Sequence, residues 1–62
     1  MELYVLKKIG QYSYVGDLKY KLFYKDNLIA VIITKETDID KIIASLINNN
    51  IIEDSAIIKI GG

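Results

Sequence analysis

Sixty-two residues, 52% of them hydrophobic, with eight lysines, no arginine, eight carboxylates and a net charge of zero, make one small domain spanning residues 1–62. The absence of Cys excludes disulfides and thiolate chemistry, and the absence of His removes the commonest acid–base residue and metal ligand. A chain of this size buries only about 60% of the surface its unfolded form exposes, so a second chain is the stabilising device that the composition leaves open.

Taken in chain order, a first strand is expected over about residues 2–15, with Gly10 marking a bulge or bend. Gly16-Asp17 suits a type II′ turn, which would set Val15 against Leu18, Ser13 against Tyr20, Tyr12 against Lys21 and Gly10 beneath Phe23. The second strand is expected over residues 18–25 and the third over 28–34, joined by a type I′ turn at Asp26-Asn27. That turn opposes Tyr24 with Ile29, Leu22 with Val31 and Tyr20 with Ile33. Alternation then gives one face to Tyr20, Leu22, Tyr24, Ile29, Val31 and Ile33, and the other to Lys19, Lys21, Phe23, Leu28, Ala30, Ile32 and Thr34.

A helix follows over about residues 38–49, where Ile39, Ile42, Ile43, Leu46 and Ile47 form one apolar stripe. Thr37 is the expected N-cap, with Asp40 three residues on, and Asn49 or Asn50 the expected stop. Ala56–Ile60 reads as a final strand, reached by a right-handed crossover. The fold class is therefore α+β, in the order β-β-β-α-β: a three- or four-stranded, mainly antiparallel sheet with one amphipathic helix on one face. The other face, which nothing in the chain is left to cover, is expected to serve oligomerisation.

Chemistry is sparse. Glu36, Asp38 and Asp40 could hold a hard cation, but helix capping and dipole complementarity account for all of them. No G-x-S-x-G occurs, and Ser13, Ser45 and Ser55 have no His to activate them. The expectation is a protein that is not an enzyme and takes no cofactor and no metal. The longest apolar run, Leu28–Ile33, is too short to span a bilayer, so a cytoplasmic protein is expected, with no membrane partner.

The expected interface comprises Tyr12, Tyr14, Phe23, Ala30 and Ile32, with Lys19 and Lys21 at its rim. It serves a two-fold homodimer, joined sheet to sheet or edge to edge, and a further protein partner. Asp40, Lys41, Ser45, Asn48 and Asn49 are further candidate contacts on the exposed side of the helix. Residues 1–35 carry six lysines against three acids and residues 36–62 two against five. Lysines beside aromatics on a sheet also fit a platform for single-stranded nucleic acid, the alternative reading.

Two resemblances add to this. The ending IIKIGG resembles the C-terminus of ubiquitin-like sulfur carriers, which implies activation of a terminal Gly-Gly carboxylate at Gly61-Gly62, a minor alternative. In size, in isoleucine- and lysine-rich composition and in missing catalytic residues, the chain resembles small phage-encoded inhibitors of the anti-defence kind. That resemblance implies a domain that blocks a host protein by occupying its surface.

Overall fold

The computed structural model describes residues 3–11 and 16–61, which form β1 (Leu3–Gln11), β2 (Leu18–Tyr24), β3 (Asn27–Thr34), α1 (Ile39–Asn48) and β4 (Ile57–Gly61). The order β-β-β-α-β is the expected one. The strands make a single four-stranded sheet in the spatial order β3-β2-β1-β4. The two hairpin pairings are antiparallel, while β4 returns alongside β1 in parallel. Tyr12, Ser13, Tyr14 and Val15 lie outside the described residues, and so does the pairing expected of them.

The helix forms where the apolar spacing predicts it. Its N-cap is Asp38 rather than Thr37: the Asp38 backbone is extended, and its carboxylate accepts the Asp40 N–H at 3.0 Å. A carboxylate one residue later does the same work as the threonine hydroxyl and adds charge at the positive end of the helix. The other end closes as expected of an asparagine. Asn50 adopts φ 59°, its N–H donates to the Ile47 carbonyl at 3.0 Å, and the Ile51 N–H donates to that of Leu46 at 2.9 Å. These paired bonds occupy two carbonyls that the last turn would otherwise leave open.

The core follows from laying that helix on the sheet. Ile42 and Leu46 are buried against Tyr4 and Leu6 of β1 and Tyr20 and Leu22 of β2, with Ile52 closing one end. Ile39, Ile43 and Ile47 pack around them half-buried, so the whole expected stripe faces the sheet. Tyr4 and Tyr24 are cross-strand partners with ring centroids 4.9 Å apart and tilted by 36°. Such a pair contributes about 0.5–1.5 kcal/mol beyond its buried area.

The β2–β3 hairpin differs from expectation by one residue, and this changes the faces. The turn is at Lys25-Asp26, with φ 50° and 66°, so Tyr24 opposes Asn27. A bulge at Ile29 then adds one residue, and beyond it Leu22 opposes Ala30 and Tyr20 opposes Ile32. Ala30 and Ile32 therefore point to the helix and pack against the core, whereas Ile29, Val31 and Ile33 are exposed. The expected assignment of Ala30 and Ile32 to the uncovered face is corrected accordingly. Every residue from Leu28 to Ile33 is apolar, so alternation did not distinguish the two registers.

The β1–β2 connection also differs. Leu18 is opposed by Gln11, not by Val15 as a two-residue turn at Gly16-Asp17 would require. Phe23 opposes Val5 rather than Gly10. Gly10, at φ 106°, does sit at a register shift, where Ile9 is the extra residue.

Two measurements check this register. In urea melts, Ile32→Ala should destabilise the protein by about 2 kcal/mol or more as a core truncation, and Ile33→Ala by no more than about 1 kcal/mol. The reverse order would restore the faces that alternation alone suggests. Replacing Lys25-Asp26 by Asn-Gly should raise stability by about 1 kcal/mol, because side chains at positive φ are strained and Asn-Gly suits a type I′ turn. A loss of stability would place the turn elsewhere.

Candidate functional sites at the sheet edge and outer face

Two surfaces are left over once α1 covers the sheet. The first is the edge at β3. Among the described residues no strand pairs with β3 beyond β2. Its eight residues, NLIAVIIT, include no charge, no proline and no glycine. Natural edge strands are usually guarded by lysine, proline or a bulge, and here the bulge at Ile29 is the one such guard. Beside this edge a groove of about 510 Å³ runs between β3 and α1, lined by Ile32, Ile42, Leu46 and Ile51, with Lys41, Ser45 and Glu36 at its polar border. Ile51 is there because the helix stop turns it back toward Leu46.

The second is the outer face of the sheet, opposite the helix. Pairing and alternation place on it Leu3, Val5 and Lys7 from β1, Lys19, Lys21 and Phe23 from β2, Leu28, Val31 and Ile33 from β3, and Ile57 and Lys59 from β4. Leu28, Val31 and Ile33 are each about half exposed, at 50%, 47% and 49%. The described strands contain five lysines and no Asp or Glu. Four of those lysines, all but Lys8, are on this face.

One pairing on the face breaks ordinary sheet patterning. Lys7 and Lys21 are directly opposed across β1 and β2, a like-charge pair that destabilises an antiparallel ladder. The Lys7 ammonium turns instead over the Phe23 ring, 5.3 Å from its centroid. Around that contact lies a depression of about 420 Å³ lined by Val5, Lys7, Phe23, Lys59, Gly61 and, from the hairpin tip, Asp26. Gly61 is opposite Lys7, and a Cβ there would stand 3.3 Å from Lys7 Cγ. Glycine at that position thus has a packing reason within the sheet; Gly62 lies outside the described residues.

Of the expected interface residues, then, Phe23, Lys19 and Lys21 share the outer face. Ala30 and Ile32 are on the opposite side, and Tyr12 and Tyr14 are outside the described residues. Val5, Lys7, Val31, Ile33 and Lys59 belong to the face and were missed. The signal available for Lys7 and Lys59 was the scarcity of acids in the expected strand segments, where Glu2 alone occurs. Val31 and Ile33 were hidden by the one-residue slip.

The acidic residues serve backbone instead. Glu36 accepts the Asp38 N–H at 3.1 Å, while its own N–H donates to Thr34 Oγ1 at 2.9 Å. With Asp38 on Asp40, these bonds build the turn that leads from β3 into α1. Among the described residues no group of three His, Cys, Asp or Glu could hold a metal ion, and no helix is long and apolar enough to cross a membrane. No family model matches the chain, and neither a curated protein nor a solved structure matches it.

Proposed function

We propose that this protein is a binding module without catalytic chemistry, that it works as a two-fold homodimer paired along β3, and that it acts by occupying the surface of another protein. The observation that carries the reading is the β3 edge: an uncharged eight-residue strand beside an apolar groove. Such an edge is a template for another strand.

Charge favours the edge over the face as the contact between copies. Face-to-face packing would set the outer-face lysines of one copy against those of the other, and like charges brought together across an interface cost several kcal/mol. Antiparallel β3–β3′ pairing instead places two neutral strands at the centre and leaves Lys19 and Lys21 one strand back on either side. The two grooves then meet across the axis, which brings Ile51 of each copy toward the shared boundary. A two-fold contact of this kind closes on itself and does not propagate.

Composition supports the non-catalytic part of the reading, since the chain contains neither His nor Cys. The resemblance to small phage-encoded inhibitors extends the proposal to inhibition of a host protein by a domain of this size.

Light scattering at micromolar concentration should give twice the mass of one chain. Val31→Lys, an exposed position near the middle of β3, should shift the mass to that of a monomer with little change in the melting curve, because it opposes lysines along the new pair. A wild-type chain that is monomeric at every concentration would refute the dimer, and a Val31→Lys protein that stays dimeric would place the contact away from β3.

A further inference from the structure

We propose that the outer face of the sheet docks an acidic polypeptide segment carrying apolar side chains, with Phe23 and Val5 as its seat and Lys7, Lys21 and Lys59 as its cationic frame. This rests on the face itself and holds whether or not the β3 edges pair.

The charge distribution selects the occupant. Among the described residues the charged groups of the strands are lysines only, whereas the carboxylates are in the turns and the helix layer, at Glu36, Asp38, Asp40, Glu53 and Asp54 among others. The like-charge pair Lys7–Lys21 is retained in the middle of the face, where a solvated sheet would gain from opposite charges. Among the described residues Phe23 and Asp26 compensate it only in part, and a local rule broken in this way is where a functional contact is expected. An anionic partner supplies the missing compensation. Asp26 borders the depression but leaves it with an excess of positive charge, since Lys7 and Lys59 both line it.

The apolar groups decide between kinds of anion. Single-stranded nucleic acid needs aromatic platforms for its bases, and among the described residues of this face Phe23 is the one aromatic. Leu3, Leu28, Val31, Ile33 and Ile57 around it are aliphatic, which suits apolar side chains of a polypeptide rather than bases. Nor has the chain any arginine for bidentate phosphate contacts.

The test is fluorescence anisotropy with a labelled random copolymer of glutamate and tyrosine, alongside polyglutamate and an oligothymidylate of similar length. The copolymer should bind, weaken as salt is raised, and bind more tightly than either of the others. The double variant Lys7→Glu/Lys59→Glu, at two exposed positions, should weaken it by at least about tenfold. Lys41→Glu, on the helix, should leave it unchanged. Should the double variant lose its fold by circular dichroism, Lys7→Gln/Lys59→Gln takes its place, with a smaller loss in the same direction. No binding to the copolymer at low salt, equal binding of polyglutamate, tighter binding of oligothymidylate, or equal losses from Lys41→Glu and the double variant would each overturn the proposal. The same measurement at protein concentrations where light scattering gives the mass of one chain separates it from the dimer, since docking on the outer face should persist there.

Discussion

A single helix cannot cover a four-stranded sheet, and the rest of this structure depends on that mismatch. Four strands at about 4.8 Å spacing put the outer strand axes about 14 Å apart, while a helix with its side chains is about 10 Å across. The helix therefore lies over the central strands. Tyr4, Leu6, Tyr20 and Leu22, the buried strand residues, are all on β1 and β2. The outer strands receive partial cover: Ala30, Ile32 and Ile58 are half-buried, and Ile60 is exposed. Apolar surface is left over sideways, along β3, and through the sheet, on its outer face.

Those two remainders differ in charge, and the difference separates their uses. β3 is neutral along its length, so it can meet an identical strand without repulsion. The outer face carries lysines from β1, β2 and β4, and among the described residues Asp26 at the hairpin tip is the one acid bordering them, so the face suits an unlike partner. The net charge of zero conceals this division: among the described residues turns and helix hold the acids, and the strands hold five of the eight lysines. Two perpendicular surfaces, one self-complementary and one not, allow a dimer to form while both copies keep a face free for a third molecule.

Much of the architecture was legible in the residues. The apolar stripe from Ile39 to Ile47, the asparagine stop and a final strand, expected over residues 56–60 and found over 57–61, follow from periodicity and turn chemistry. The identity of β3's two faces did not, because Leu28–Ile33 is apolar throughout and register rested on the turn alone. Asp-Asn is the better type I′ pair on local preference, yet Lys25 and Asp26 take the positive φ values. Here tertiary packing overrides the local preference of the turn residues. Of the candidate site, Phe23, Lys19 and Lys21 were readable from alternation along β2. The partners that complete it, Val5, Lys7 and Lys59, depend on β1 being shifted at its Ile9 bulge and on β4 lying parallel beside it. Neither is a local property of sequence.

Backbone amide exchange along β3, followed residue by residue by NMR at high and low protein concentration, tests the central claim that this edge pairs with its own copy. Amides of Asn27–Thr34 that point to β2 should be protected at both concentrations. The alternate amides that point away from β2 should be protected at high concentration and lose that protection on dilution. Outward amides that exchange freely at every concentration would contradict the account and leave β3 an unpaired edge.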